Sequence, residues 1–132
     1  MQPKIKGIHH IALKAYGIDS YNETVRFYRD LLGLPCVREW GVGEGSGIML
    51  DTGGGMLEIF ASAPNKADEG VLRHMALAVE STDACVATVR DAGYKITVEP
   101  KDICIPSSPP YPARIAFCIG PLGEEIEFFE EK

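Results

Sequence analysis

The sequence predicts an α+β fold built from two similar βαβββ modules that together form one domain over residues 1–132. Two observations predict it. Short segments repeat in the same order: residues 10–13 and 74–77 read His-Ile-Ala-Leu and His-Met-Ala-Leu, and residues 57–60 and 126–129 read Leu-Glu-Ile-Phe and Ile-Glu-Phe-Phe. The elements expected around these segments also repeat, as one strand, one helix and three further strands in each half.

The first module is expected over residues 5–62. It begins with the strand that carries the first repeated histidine, and a helix over 21–32 follows. Ser20 and Glu23 form a capping box, the usual signal for a helix start, and Gly33 is placed to end the helix. Apolar segments bounded by turn residues predict the three remaining strands, over 36–41, 47–51 and 55–61.

The second module is expected over residues 71–131. Its helix has cap candidates at 81–83 and ends at Gly93. Turn-forming residues over 63–70 indicate the linker between the modules, and the proline-rich segment 105–112 is expected to be a loop because proline cannot donate to a strand ladder. The three strands after the helix are expected over 94–99, 112–119 and 124–130.

Composition and charge argue against two classes of binding partner, nucleic acids and membranes. The chain has 132 residues, of which 13 are basic and 19 acidic, and its net charge of −6 argues against nucleic-acid binding. No apolar segment is long enough to span a bilayer and no signal-peptide core is present, so we expect a cytoplasmic protein without a membrane partner. The four cysteines form no Cys-x-x-Cys pair and are expected to stay reduced.

Strand alternation places the repeated histidines and glutamates away from their aliphatic neighbours. Successive side chains of a strand point to opposite faces, so one face of each short strand is aliphatic and the other carries a metal-capable side chain. Two imidazoles and two carboxylates projecting from one concave sheet face suit a divalent transition metal. The four candidate ligands are His10, Glu58, His74 and Glu127.

Neighbouring residues are weaker candidates for this site. His9 competes with His10, but its parity places it on the packed side of the strand, and the repeat aligns His10 with His74. Only Glu127 matches Glu58 in the repeat. The other carboxylates near the end of the chain are expected to be solvated or terminal charges: Glu124, Glu125, Glu130 and Glu131.

Two further segments carry a family resemblance. Residues 27–34 read Phe-Tyr-Arg-Asp-Leu-Leu-Gly-Leu and residues 123–127 read Gly-Glu-Glu-Ile-Glu. With the four candidate ligands, they make the chain resemble, over residues 5–131, the vicinal oxygen chelate superfamily of glyoxalases, bleomycin resistance proteins and extradiol dioxygenases, and most of all glyoxalase I. The resemblance implies a glyoxalase-like fold in which the curved mixed sheets of two modules form a metal-binding cup. It also implies a homodimer, and whether the modules pair within one chain or across two is left open.

The resemblance implies an enzyme of the lactoylglutathione lyase type. His10, Glu58, His74 and Glu127 would hold one divalent ion per site, with nickel or zinc favoured and cobalt, manganese or iron compatible. The implied reaction isomerises the hemithioacetal of a 2-oxoaldehyde and a thiol through an enediolate, with Glu127 as the proton carrier and Glu58 as its counterpart. Lys14 stands where glutathione-binding members usually place an arginine, so it is a candidate substrate contact.

Two other functions stay open at this point. The superfamily includes methylmalonyl-CoA epimerase-like enzymes and other metalloenzymes, and small-molecule or drug-binding resistance proteins use the same fold. Epimerases typically carry glutamine at the position of Glu58, and binding proteins often lose the metal ligands. This chain keeps all four ligands, which favours an enzyme. Residues 120–123, Gly-Pro-Leu-Gly, differ from the Asp-Pro-x-Gly that is usual before the last strand.

Overall fold

The computed structural model describes residue 4 and residues 6–68, 70 and 72–132, and the chain falls into two compact units. The units are Met1–Lys66 and Ala67–Lys132, and the boundary between them lies within the predicted linker 63–70. The expected module starts at residues 5 and 71 lie outside the described residues. The organisation of the whole chain as one domain stays a prediction.

A four-stranded mixed sheet and one helix make up the first unit. The strands follow the order β1–β4–β3–β2 in the sheet, where β1 is parallel to β4 and the other neighbours are antiparallel. The predicted succession of strand, helix and three strands is therefore confirmed for this unit. Its strands are β1 (His10–Lys14), β2 (Cys36–Trp40), β3 (Gly47–Asp51) and β4 (Met56–Phe60).

The helix of the first unit, α1 (Ile18–Val25), begins earlier than predicted. The Gly17 carbonyl already accepts a hydrogen bond of 2.9 Å from within the helix, so Ser20 lies inside the first turn and the predicted capping box is wrong. The helix continues as a wider π-helical turn over Arg26–Leu31. Gly33 follows with a φ of +79°, a left-handed conformation that suits glycine, so the predicted helix end is confirmed.

The second unit repeats the arrangement of the first. Its helix α2 (Thr82–Asp91) begins at Ser81, whose hydroxyl accepts a hydrogen bond of 3.1 Å from the Ala84 N–H, and Gly93 follows the helix at a φ of +92°, as predicted. The sheet order is β5–β8–β7–β6, with β5 parallel to β8 and the other neighbours antiparallel. The strands are β5 (His74–Ala78), β6 (Ile96–Ile105), β7 (Tyr111–Ile119) and β8 (Glu125–Glu131).

The predicted loop 105–112 is shorter in the structure, because both flanking strands extend into it. Pro112 pairs with Cys104 and Tyr111 pairs with Ile105, which leaves 106–110 as the connection. Pro112 cannot donate a hydrogen bond, but its carbonyl still accepts one of 3.3 Å from Lys132. Pro100 is tolerated within β6 because this strand lies at the sheet edge and its register shifts between Val98 and Lys101.

Each unit packs its helix against its own sheet. Leu57 and Ile59 on β4 are almost completely buried, as are Ile126 and Phe128 on β8, and the glutamate between each pair points to the opposite face. No helix among the described residues has the length and apolar character that crossing a membrane requires. The largest fully buried side chains are Tyr28, Phe27, Phe128, Ile48, Leu50, Leu57, Ile59 and Ile126.

Candidate metal centre

The first unit brings His10 and Glu58 together. β1 runs parallel to β4 with Ala12 opposite Glu58, so His10, two residues before Ala12, lies on the same face of the sheet as Glu58. The His10 Nε2 atom is 3.3 Å from the Glu58 Oε1 atom. Glu58 is buried, with 8% of its surface exposed, and the imidazole of His10 remains partly open to solvent.

The second unit builds the same pair from His74 and Glu127. Ala76 lies opposite Glu127 in the parallel pairing of β5 and β8, and the His74 Nε2 atom is again 3.3 Å from the Glu127 Oε1 atom. The ring of Phe117 packs edge-on against the imidazole, with 5.4 Å between the ring centres. Burial raises the pKa of the Glu127 carboxyl, although the nearby His74 opposes this shift.

The spacing of each pair fits two ligands of one metal ion. Two donor atoms that bind an ion at about 2.1 Å, with an angle of about 90–109° between them, lie about 3.0–3.4 Å apart. A charge-assisted hydrogen bond between the same groups would be shorter, at about 2.7–2.9 Å. Imidazole nitrogen and carboxylate oxygen also form a donor set that zinc, nickel and iron accept. Both observed distances of 3.3 Å are therefore compatible with two ligands of one metal ion.

The structure shows two histidine–glutamate pairs, one in each unit. In the part of the chain that the structure describes, no group of three or more His, Cys, Asp and Glu side chains is arranged to hold a metal ion. The set of four ligands predicted from the sequence therefore requires a pair from each of two units. It stays a prediction, as does the choice between two units of one chain and units of two chains.

The Nδ1 atoms of both candidate histidines have partners that the sequence analysis set aside. His10 Nδ1 is hydrogen-bonded to His9 Nδ1 at 2.9 Å, and His74 Nδ1 lies 4.0 Å from Glu125 Oε1. The prediction that His9 packs inside the sheet is wrong, because His9 precedes β1 and is exposed. Glu125 is partly exposed, as a solvated charge would be, yet it lies on the face of Glu127. Its parity with Glu127 is the signal that could have revealed this position.

The other carboxylates near the end of the chain bind backbone or surface groups. Glu124 Oε1 accepts a hydrogen bond of 2.7 Å from the Leu122 N–H. Glu130 accepts one of 2.9 Å from the Thr82 N–H at the start of α2 and pairs with Lys132, which lowers the pKa of its carboxyl. The prediction of solvated or terminal charges is therefore wrong for Glu124 and Glu130, which fix local backbone. Glu131 contacts the hydroxyl of Tyr111 at the surface.

Lys14 lies at the end of β1 on the same face as His10. Alternate residues of β1 are exposed, and Lys14 is opposite Phe60 in the pairing with β4. Phe60 is two residues beyond Glu58, so it shares the face of Glu58. This position is compatible with the predicted substrate contact, and that role stays a prediction.

Comparisons with known proteins identify the family to which the chain belongs. Residues 7–108 match the model of the Glyoxalase/Bleomycin resistance protein/Dioxygenase superfamily. The chain is also similar to the structure of a glyoxalase family protein from Enterococcus faecalis, with 26% identity and a TM-score of 0.68, over 95% of this chain and 98% of that one. No curated protein sequence matches the chain.

Two more distant structures share the fold but differ in function. One is the trypanothione-dependent glyoxalase I of Leishmania major, with 23% identity, a TM-score of 0.68 and coverage of 92% of this chain and 84% of that one. The other is TnmS3, an antibiotic binding protein from Streptomyces, with 18% identity, a TM-score of 0.71 and coverage of 99% and 100%. At these identities the likeness shows the fold alone, and the fold hosts both an enzyme and a binding protein.

Proposed function

Because the chain belongs to the Glyoxalase/Bleomycin resistance protein/Dioxygenase superfamily, we propose that it is a metal-dependent isomerase of the lactoylglutathione lyase type. Its substrate would be the hemithioacetal of a 2-oxoaldehyde and a thiol. The observation that carries the proposal is the histidine–glutamate pair that recurs in both units with the same 3.3 Å between Nε2 and Oε1. A protein that only binds small molecules has no need for this donor set in duplicate.

His10, Glu58, His74 and Glu127 would hold one divalent ion, with nickel or zinc the best match to their imidazole and carboxylate donors. When bound, the ion supplies Lewis acidity that stabilises negative charge on the substrate oxygens. Since each unit contributes two ligands, the site is completed by a second unit, from the same chain or from the partner in a homodimer. A cytoplasmic location is part of the same proposal.

Glu127 would carry the proton between the two substrate carbons. Its carboxylate would take the proton from the carbon that bears the sulfur and the hydroxyl, and return it to the adjacent carbon, which was the carbonyl carbon. The hydroxyl proton of the first carbon would pass to the oxygen of the second, which leaves a thioester carbonyl and a new hydroxyl. Burial raises the pKa of the Glu127 carboxyl, and a carboxylate whose pKa is raised is the stronger base for this step. Glu58 occupies the equivalent position in the first unit and would act as the counterpart of Glu127.

Glu125 would act as a positioning residue for His74. Histidines that bind metals usually donate their second ring N–H to a carboxylate or carbonyl, which fixes the tautomer that leaves the other nitrogen free. Glu125 Oε1 lies 4.0 Å from His74 Nδ1, on the side of the ring opposite the nitrogen that approaches Glu127. His9 takes the corresponding place at His10 Nδ1.

Metal analysis followed by an activity assay tests the proposal. The purified chain should contain about one divalent ion for each set of four ligands, and His10→Ala or His74→Ala should lower this content. The metal-loaded protein should convert the methylglyoxal–glutathione hemithioacetal to the thioester. Bound metal without this turnover would instead favour an epimerase acting on an acyl thioester, which exchange of the substrate's acidic proton in deuterated water would detect. A chain that binds no divalent metal would favour a binding protein.

A further inference from the structure

An aromatic surface lies beside Glu58 in the first unit. Trp40 on β2 is opposite Gly47 on β3, and Gly47 is opposite Phe60 on β4. In the neighbouring row, Arg38 is opposite Met49, which is opposite Glu58. Side chains of directly paired residues lie on the same face of a sheet. Trp40, Phe60 and Arg38 therefore share the face of Glu58, away from the helix.

The indole of Trp40 lies flat on the sheet because Gly47 has no side chain. A Cβ atom built on Gly47 would come within 2.4 Å of the indole ring. The ring centres of Trp40 and Phe60 are 6.2 Å apart, with an angle of 67° between the planes. Even so, 38% of the Trp40 surface is exposed. The sheet thus presents an aromatic face that is partly open to solvent at Trp40.

A cationic side chain that has no carboxylate partner among the described residues lies next to this aromatic face. The guanidinium of Arg38 contacts the sulfur of Met49 at 3.6 Å, and no ion pair of Arg38 is found among the residues that the structure describes. By contrast, Arg29 contacts Asp30 at 2.8 Å and Arg114 contacts Asp83 at 2.7 Å. Arg38 is free to bind an external anion, and its planar fork suits a carboxylate.

We propose that Arg38, Trp40 and Phe60, here called the aromatic subsite, bind a planar aromatic carboxylate, with its ring on the indole and its carboxylate on the guanidinium. The Cα atoms of Arg38 and Trp40, two residues apart on one strand, are roughly 7 Å apart, a spacing on the scale of a fused aromatic ring with its carboxylate. Binding of this ligand class does not depend on the proposed function. One consequence does rest on it: within the proposed isomerase site, the aromatic subsite would select substrates that carry an aromatic group and an anionic group beside the reacting carbons.

Binding of 2-naphthoate to the full chain tests the subsite without metal or turnover. Trp40 is the single tryptophan of the chain, so its fluorescence should be quenched in a saturable manner, and calorimetry should give the same dissociation constant before and after treatment with a chelator. Trp40→Leu should weaken binding about three- to tenfold through loss of stacking, and Arg38→Gln should weaken it about tenfold or more through loss of the charged hydrogen bonds.

Matched controls separate the subsite from general effects. Arg26→Gln removes the same charge from an exposed position in the π-helical turn and should leave binding unchanged. Naphthalene methanol, which lacks the carboxylate, should bind the wild type as weakly as 2-naphthoate binds Arg38→Gln. Circular dichroism shows whether each variant is folded. Absence of saturable quenching, or equal losses for Arg26→Gln and Arg38→Gln, would overturn the subsite while leaving the metal and isomerase assays to decide the proposed function separately.

Discussion

The turn after Trp40 gives a quantitative prediction from three glycines, each replaced by alanine. Gly41 has a φ of +77°, and its added Cβ would lie 2.0 Å from the backbone oxygen of Gly45. Gly43 has a φ of +56° with open space around it, and Gly45 has open space without a positive φ. The three substitutions therefore separate three contributions to the free energy of unfolding: the steric clash, the cost of a left-handed backbone, and the lower entropy of the unfolded chain.

Each contribution has a known size. A left-handed conformation costs a residue with a Cβ about 1–2 kcal/mol, a backbone clash about 1–3 kcal/mol, and the loss of unfolded-state entropy returns about 0.4–1 kcal/mol. Gly45→Ala should therefore stabilise the protein by about 0.4–1 kcal/mol. Gly43→Ala should cost up to about 1.5 kcal/mol, and Gly41→Ala about 1–4.5 kcal/mol.

Urea unfolding followed by circular dichroism measures these three differences in the free energy of unfolding. The expected order of stability is Gly45→Ala above wild type, then Gly43→Ala, then Gly41→Ala. Equal costs for Gly41→Ala and Gly43→Ala would refute the clash with the Gly45 backbone, and a cost for Gly45→Ala would refute the open space at that position.

Three further predictions concern the carboxylates. Glu127→Gln should reduce isomerase turnover by about 10²–10⁴-fold while most of the metal stays bound, because the amide oxygen can still act as a ligand but the proton carrier is lost; turnover close to wild type would contradict this role. Glu125→Gln should weaken metal affinity about 10–100-fold through the orientation of His74, and titration with a competing chelator measures it. Arg114 lowers the pKa of Asp83, so the ionised Asp83 stabilises the folded chain above about pH 4, and this contribution is lost as the pH falls through the lowered pKa. Asp83→Asn should accordingly shift the urea midpoint downward at neutral pH and converge with wild type in acid; a constant difference at every pH would rule this out.

The repeat in the sequence predicted the order of elements in each unit and both histidine–glutamate pairs, because each depends on the local pairing of strands. Once β1 is parallel to β4, strand alternation alone places His10 beside Glu58, and the same holds for β5 and β8. Strand pairing within a unit does not predict that the two pairs combine into one set of four ligands. That combination depends on contacts between units, and no periodicity within one module specifies those contacts.

The start of α1, the length of β6 and the position of Glu125 differ from the predictions for identifiable physical reasons. Ser20 and Glu23 have the spacing of a capping box, but the helix begins three residues earlier, after Gly17, whose positive φ suits glycine. The predicted strand 94–99 ends before Pro100, whereas β6 continues through Pro100 to Ile105 because it lies at the sheet edge. Alignment of the two halves pairs Glu125 with Met56, and both residues lie opposite the candidate histidine of their unit. Because Met56 carries no charge, the repeat gives no signal for a carboxylate at this position.

The irregular edge of the second sheet also bears on how copies of this chain avoid one another. β6 is an edge strand, and an open edge offers a row of unpaired backbone groups that another chain can extend into an aggregate. Pro100 has no backbone N–H, and the register shifts on either side of Val98 make the pairing of β6 irregular. Both features oppose the regular edge-to-edge pairing along this strand that aggregation needs.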